Sequence, residues 1–412
     1  MTMLPIVRGK MSHTLRDDFL MLFRSAFFNI NDVKQIRNFE NTLAKRINQS
    51  DCIVFPYART AIYFTLKSAE LKPGDCILMP SITIKAILDV VIDLGLKPVF
   101  VDSDLNTACM DIGSLKQRIL EHKPKACLLT YLFGVMPEME HIIQELTAND
   151  IFIIEDFSQA FNASYKGQKA GTFGNVSIYS ASSVKTFDTY GGGLAFTSDL
   201  KLGRSLRNYQ ATLAPPSRRV LISKVISSLI KNLITNRVVF SFGLFHILKI
   251  LNKKQNKKFD RFVGIRTTSP INSLPGEWFY SYSSTQAKIG RKLLQRVDAS
   301  DLSRINYALD LISKVANVEI VSGSKSSNSI FWQLIALPIE PQNFRDFLYT
   351  NGIDSAQTSL IEISQLPEYG IKSDTPKADY LHKHAVYLPC YSSLKLSERT
   401  HIINTLNDYK LN

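Results

Sequence analysis

Apolar residues recur along this chain with two periods, and the switching between them lays out its elements. Between positions 14 and 50 the stretches LRDDFLMLFRSAFF and VKQIRNFENTLAKRIN carry apolar residues at helical spacing and predict helices. The stretch that follows, CIVFPYARTAIYFTLKSAELKPGDCILMPSITIKAILDVVIDLGLKPVFVDSD, alternates strand and helix patterns. Such alternation implies a mainly parallel sheet with helices on both faces. PKACLLTYLFGVMPEMEHI reads as a further buried strand that runs into Tyr131 and Gly134. Residues 151–154 are a short, β-rich apolar run bounded by polar residues, the pattern of a strand buried on both faces, and a second apolar run lies near 176–179. From about Arg291 a long helix leads into a small C-terminal domain. The class is α/β, with a large domain over 1–290 and a small α+β domain over 291–412.

Within residues 213–275 the pattern changes. In VLISKVISSLIKNLIT apolar pairs alternate with polar pairs: Leu221/Ile222, Val225/Ile226, Leu229/Ile230 and Leu233/Ile234. On a helix that spacing makes one continuous apolar face opposite a Ser/Lys/Asn face. VVFSFGLFHILKIL follows, apolar nearly all round but only fourteen residues long, and then the basic run KKQNKK.

Composition narrows the picture at three points. With 412 residues and 45% hydrophobic residues the chain can build a large core in two domains. Its five cysteines are scattered, with no CxxC pair and no His/Cys cluster, so neither a disulfide framework nor a metal site is expected, and a reducing cytoplasm is the default. His382 and His384 likewise have no partners in sequence and read as surface or packing residues. The start, MTMLPIVRGK, does not read as a signal peptide, and no run of about 18 apolar residues predicts an ordinary membrane span. The net charge of +13 is concentrated: between positions 217 and 266 twelve lysines and arginines stand against Asp260 alone. A nucleic-acid partner would suit that charge but not the apolar content around it. A short apolar element flanked by lysines instead fits a helix lying in a membrane interface. The alternative is a lid or dimer-interface hairpin buried in protein.

Candidate chemistry lies between positions 151 and 193. Glu155 and Asp156 stand at the carboxyl end of the first apolar run, where open α/β sheets place their ligands. The second run delivers Ser180, Ser182, Ser183 and Lys185, followed by Gly191, Gly192 and Gly193. An acid at one strand end and a lysine beyond the next suit a pyridoxal phosphate (PLP) site, in which a lysine amine forms the Schiff base and a carboxylate keeps the pyridine nitrogen protonated. Each residue alone has a plainer reading: a surface lysine, a helix cap, a strand-end hydroxyl. Their order and spacing together favour the chemistry.

EDxxQA, SxxxxK and the glycine-rich segment together resemble the PLP-dependent sugar aminotransferases of the DegT/StrS group. The resemblance covers nearly the whole chain outside 213–275, including KPGD at 72–75 and LGLKPVFVD at 94–102. It implies the PLP-dependent transferase fold of type I, with a seven-stranded type of sheet, and a homodimer with the cofactor at the subunit interface. It implies Lys185 as the Schiff-base lysine, Asp156 as partner of the pyridine nitrogen, Gln159 against the ring and Ser180 on the phosphate.

The chain departs from the group at several positions. Arg59-Thr60 replaces a Gly-Thr pair whose helix N-terminus faces the cofactor phosphate, so Thr60 is a candidate phosphate contact and Arg59 a candidate for phosphate or a substrate anion. Ile84 stands where an aromatic usually covers the ring, and Tyr131 where a histidine is common. Gly191 stands where the group has a glutamate. Phe279 and Ser281 take the places of an asparagine and an arginine, the former a cross-subunit phosphate contact, with Arg59 a candidate substitute.

The implied activity is transfer of an amino group, from glutamate, to a keto-sugar carried on a nucleotide or a lipid, in surface-polysaccharide or glycoconjugate synthesis. The expected location is cytoplasmic, at the inner face of the membrane if 213–275 makes peripheral contact with lipid. Two alternatives stand beside it. One is a PLP-dependent sugar dehydratase, whose members typically replace the lysine that is present here. The other is a catalytically silent, membrane-associated regulatory protein that retains the fold.

Overall fold

The computed structural model describes residues 4–182, 184–253, 271, 273–357, 360–364, 366 and 369–410. Ser183 and the basic positions Lys254, Lys257, Lys258, Arg261 and Arg266, singled out above, lie outside the described residues.

The central sheet has seven strands: β1 (Asp51–Phe55), β2 (Cys76–Pro80), β3 (Lys97–Val101), β4 (Ala126–Thr130), β5 (Phe152–Asp156), β6 (Val176–Ser180) and β7 (Gly193–Thr197). They lie in the order β1-β7-β6-β5-β4-β2-β3. The only antiparallel pairings in this sheet are those β7 makes with β1 and β6, so the other six strands run one way and end on one edge. Alternate residues of each strand enter different cores, as a pleat with both faces covered requires. Cys52, Val54, Cys127 and Leu129 pack on one side with Phe39 and Leu43, while Ile53, Phe55, Leu128 and Ile154 pack on the other with Ile62 and Leu88.

The helices start where their capping residues dictate. α1 (Leu15–Phe27) opens at Thr14, whose hydroxyl accepts the Asp17 N–H while Asp17 accepts the Thr14 N–H. Asp32 caps α2 (Val33–Ile47), which ends at Asn48 in the left-handed region. α3 (Ala58–Ser68) and α4 (Lys85–Asp93) cover the far face and begin at Tyr57 and Ile84 without side-chain caps.

α5 (Ile112–His122), α6 (Met139–Ala148) and α7 (Leu200–Ala211) complete the crossovers of the large domain. Residues 213–275 then leave it. α8 (Arg218–Ile234) is capped by Ser217 and is followed, after a 62° bend, by α9 (Arg237–Lys253), which contains a π-helical turn at Phe240–Leu244. No single described helix is long and apolar enough to cross a membrane, although this bent pair passes that test by length and composition. The single apolar face expected for α8 is divided. Leu221, Val225 and Ser228 are buried, and the helix packs on α1, whereas Ile226, Ile230, Leu233 and Ile234 stay exposed. Packing on α1 occupies one flank only, so Ile226 and Ile230 face outward from their pairs and both members of the Leu233/Ile234 pair are exposed. α9 docks Phe240, Phe245 and Leu248 onto Val7 and Tyr349, leaving Val238, Val239, Phe242, Ile247 and Ile250 exposed.

α10 (Ser284–Lys314) runs unbroken for 31 residues, roughly 46 Å at 1.5 Å per residue. Its Leu293 and Val297 belong to the sheet core and its Tyr307, Ala308 and Leu311 to the core of the C-terminal unit. The expected division at 290/291 therefore falls inside a helix that both cores share. The C-terminal unit is an antiparallel sheet of β8 (Glu319–Ile320), β9 (Leu334–Leu337), β10 (Ala356–Gln357) and β11 (Val386–Leu388), in the order β8-β9-β11-β10. The N-terminal segment also packs there: Ile6 is buried in this core and bridges Ile353. His384 is a packing residue, stacked on Tyr380 at 4.1 Å.

A buried polar cluster ties these pieces to the segment that follows Lys185. His13 Nδ1 lies 2.8 Å from Asp18 Oδ1, and its Nε2 lies 3.2 Å from Asp188 Oδ2 and 2.9 Å from Ser228 Oγ. Tyr190 stacks on the imidazole at 4.4 Å and donates its hydroxyl to Asp18, while Asn232 of α8 donates to the other Asp18 oxygen. Burial alone would lower the His13 pKa, but the hydrogen bonds and charges of Asp18 and Asp188 outweigh it and raise the value to about 9. A histidine whose folded pKa is raised contributes stability that is complete below its unfolded value and is lost as pH rises through the folded one. Stability should therefore fall between about pH 6.5 and 9 by an amount on the order of 3 kcal/mol. Urea unfolding across this range should show that fall in the parent and a flatter profile in His13→Gln. Equal slopes in the two proteins would show that the imidazole is not the titrating group.

Candidate active site

Asp156 is the last residue of β5, and its Oδ1 accepts the Ser158 N–H at 3.0 Å, a turn an aspartate forms locally. Ser158 Oγ in turn accepts the Ser180 N–H at 2.8 Å and joins the ends of β5 and β6. Beyond β6 the hydroxyls of Ser180 and Ser182 are 2.9 Å apart, and the Lys185 N–H donates to the Ser182 carbonyl at 3.2 Å. Val184 between them has φ +69°, a conformation unfavourable for a β-branched residue. Trp332, from the C-terminal unit, donates its indole N–H to the Val184 carbonyl at 2.7 Å, and Lys185 Nζ lies 3.7 Å from the centre of the Trp332 ring. Local strain is held here by a long-range contact, which aims the lysine.

Burial lowers the Lys185 pKa to about 8, against the opposing attraction of Asp156. The Asp156 carboxyl is pushed up by burial, against the Ser158 hydrogen bonds and the field of Lys185. The two groups act on each other through space, without a direct hydrogen bond or ion pair among the described residues. An amine and a carboxylate thus stand at adjacent strand ends, both buried and apart.

The neighbouring acid has another task. Glu155 points to the opposite face, where it accepts the Tyr131 hydroxyl at 2.9 Å and the backbone N–H groups of Gly171, Phe173 and Gly174. Tyr131, expected near the site, is instead a core residue whose hydroxyl serves Glu155. Gln159 is buried, and its Oε1 accepts the Phe133 N–H at 2.6 Å.

Across the edge, β1 leads into α3. A Cβ on Gly193 would collide with the Tyr57 carbonyl, and Tyr57 bridges Gly192, so the glycine segment and the start of α3 are in contact. The hydroxyl of Thr60, a candidate phosphate contact, donates to the Trp278 carbonyl at 2.8 Å. The Arg59 guanidinium lies 4.2 Å from the ring centres of both Tyr57 and Trp278. Ile84 keeps 40% of its surface exposed at the start of α4, an apolar face at the same edge. Phe279, at the position of the group's cross-subunit asparagine, packs edge-on against Tyr63 and Phe64 of its own chain.

Beside Lys185 opens a cleft of about 450 Å³. Arg8, Lys10, Lys231, Arg304 and Trp332 contribute to its walls, so that it joins the N-terminal segment, the insert and the C-terminal unit. Trp332 and this convergence of cations escaped the sequence reading. The scarcity of tryptophan, two in the chain, was the available signal for Trp332.

The sheet order, the reversed β7 and a lysine beyond β6 define the PLP-dependent transferase fold. A sugar aminotransferase from Micromonospora echinospora superposes with a TM-score of 0.73 over 99% of both chains at 18% identity. Residues 22–212 match the model of the DegT/DnrJ/EryC1/StrS aminotransferase family. Among curated proteins, the GDP-perosamine synthase of Escherichia coli O157:H7 is 32% identical over 167 residues, 40% of this chain and 46% of that protein. A UDP-N-acetyl-3-dehydro-alpha-D-glucosamine 3-aminotransferase of Acidithiobacillus ferrooxidans is 32% identical over 148 residues, 36% of this chain and 40% of that protein. The chain spans about half the length of the curated relatives it matches.

The family's cofactor is pyridoxal phosphate. The residues present fit it: a buried amine of lowered pKa, a buried carboxylate set apart from that amine, and two hydroxyls at the strand end between them. Neutral amine forms as pH passes about 8, so covalent uptake of PLP by the apoprotein should accelerate through that pH and then level off. Asp156→Asn removes the attraction that opposes burial and should move the midpoint to lower pH. Stopped-flow absorbance over a pH series measures both, and an unmoved midpoint in Asp156→Asn would remove that carboxylate from the site.

Proposed function

We propose that this chain is a PLP-dependent aminotransferase that takes an amino group from glutamate, leaving 2-oxoglutarate, and converts the ketone of a nucleotide-linked keto-sugar to an amine. The observation that carries the reading is the buried Lys185 amine set beside the Asp156 carboxylate on the ligand edge of this fold. Bound PLP supplies an aldehyde that exchanges amines and a ring that withdraws electrons from the reacting carbon. Lys185 holds the cofactor through Nζ and, once displaced by the donor amine, carries a proton from Nζ to and from the reacting carbon. Asp156 would hold the ring nitrogen protonated by accepting its hydrogen bond. Ser180 and Ser182 would hold the phosphate, and Ile84, at the start of α4, and Gln159 would hold the ring. The cations of the adjoining cleft suit the diphosphate of a nucleotide sugar. A homodimer, implied by the family resemblance, is part of the proposal.

The test supplies glutamate with GDP- and UDP-linked keto-hexoses and follows 2-oxoglutarate and the amino-sugar mass. Lys185→Ala should lower turnover at least about 10²-fold with its fold intact. A parent that takes up PLP but transfers no amine to any of these acceptors would leave the fold without this function.

The second reading concerns location. The exposed residues of α8 and α9 are joined by Phe19, Phe23 and Phe27 of α1, the helix on which α8 lies, and by Phe28 just after it, and Phe27 and Phe242 are each 75% exposed. Basic side chains, Lys231, Lys249 and Lys253 among them, lie on the same elements. Apolar surface beside positive charge complements an anionic bilayer at the cytoplasmic face, with burial contributing about 25 cal/mol per Å² and each lysine on the order of 1 kcal/mol. The protein should float with phosphatidylserine vesicles at low salt and detach as salt rises. Replacing Ile226, Ile230, Leu233 and Ile234 with serine should abolish flotation and preserve PLP uptake. Loss of the dimer without any parent flotation would assign the surface to a second copy instead.

A further inference from the structure

Four residues with positive φ gather where the C-terminal unit meets the sheet edge: Phe133 at +59° and Gly134 at +80°, just after β4, with Val184 at +69° and Phe331 at +47°. Three of them are bulky or β-branched, and such residues hold this conformation only where the surroundings enforce it. Here two turns enforce each other. The Gly134 carbonyl accepts the N–H groups of Ile330 at 2.8 Å and Phe331 at 3.2 Å, and the Phe133 carbonyl accepts the Gln333 N–H at 3.1 Å. A Cβ on Gly134 would meet the Trp332 nitrogen and the Gln159 carbonyl, each at 2.6 Å, so only glycine lets the segments close. The Gln159 side chain completes the clamp by accepting the Phe133 N–H.

The residue held in this clamp is Trp332. Its neighbours on both sides, Phe331 and Gln333, are bonded to the 133–134 turn, and its indole N–H is engaged by the Val184 carbonyl. With that donor used, what the partly exposed ring offers the cleft is an aromatic face. Lys185 Nζ lies 3.7 Å from the centre of that ring. A proton carried by this nitrogen goes to a carbon roughly 3–3.5 Å away, so the reacting carbon comes to lie next to the indole. A pyranose has a face of C–H bonds, apolar and weakly electropositive, which suits the electron-rich face of an indole, while its hydroxyls need polar partners. Gln333 and Ser300 bring polar side chains to the same cleft. Glutamate, a flexible chain with charge at both ends, has no such face.

We propose that Trp332 is a specificity-determining residue for the acceptor: the sugar ring lies on its indole face beside Lys185, and the clamp of paired turns fixes that platform in advance. The inference rests on the readings of Lys185 as the cofactor lysine and of the acceptor as a sugar.

The purified full chain, in the presence of PLP, is titrated by calorimetry with UDP-N-acetylglucosamine and GDP-mannose, and with UDP and GDP, which lack the sugar. The quantity read is the ratio of sugar-nucleotide to nucleotide affinity, in which losses from a disturbed fold cancel. Trp332→Leu removes both the aromatic face and the indole N–H, whereas Trp332→Phe removes the N–H and keeps a face. The ratio should fall roughly 10-fold in Trp332→Leu and stay within about threefold of the parent in Trp332→Phe. An unchanged ratio in Trp332→Leu, or an equal or larger fall in Trp332→Phe, overturns the platform. So does a parent that binds the sugar nucleotides no more tightly than the bare nucleotides. Failure of the Lys185 reading shows separately, as absence of a tag on Lys185 when the parent is incubated with PLP, reduced with borohydride and mapped by mass spectrometry.

Discussion

Everything at the sheet edge depends on holding one ammonium group out of water. Bringing the Lys185 pKa from 10.5 to about 8 corresponds to a penalty on the order of 3 kcal/mol for its charged form at neutral pH. A surface lysine would bear none of it and would also be protonated and unreactive. The chain meets the constraint by topology. Parallel strands end together, so the Asp156 carboxylate reaches the amine's surroundings from the next strand without touching it. Val184 is held in an unfavourable conformation by the Trp332 indole, and the same ring forms a face over the amine. The burial produces an amine that gives up its proton near pH 8 and is held against the Trp332 ring.

Much of this edge was legible along the chain, and the reason is physical. Strands buried on both faces read as continuous apolar runs, so 151–154 and 176–179 located β5 and β6 within two residues at their carboxyl ends. An acid at the end of one such run and a lysine beyond the next come to the same edge, as Asp156 and Lys185 do, while Glu155, one residue earlier in the pleat, turns to the other face. What could not be read were contacts between distant positions. His13 with Asp188 and Ser228, Trp332 with Val184, and Lys224 with Tyr57 each join stretches more than a hundred residues apart. No periodicity encodes them. The same limit explains Tyr131 and Thr60, whose hydroxyls are engaged by Glu155 and by the Trp278 carbonyl.

The division of α8 shows how one helix serves two surroundings. Apolar pairs give a band wide enough to be split, with Leu221 and Val225 facing the protein and Ile226 and Ile230 facing out. The polar band is divided as well. Ser228 and Asn232 enter the His13 cluster, whereas Lys224 reaches past the glycine segment to the start of α3. An amphipathic reading distinguishes apolar from polar and no further. Which part of each band meets protein is decided by where α1 lies.

The insert leaves and re-enters the large domain at one point. The Ala214 N–H donates to the Phe279 carbonyl at 3.0 Å, and the Ser281 N–H donates to the Ala214 carbonyl at 2.6 Å. A segment rooted by its own two-rung ladder is a detachable cassette: its length and surface can change through insertion or recombination while the sheet stays in register. Because Lys224 travels on that cassette, an exchange that altered what its outer face adheres to would also alter the charge at the start of α3. Address and chemistry would then be inherited as a linked pair.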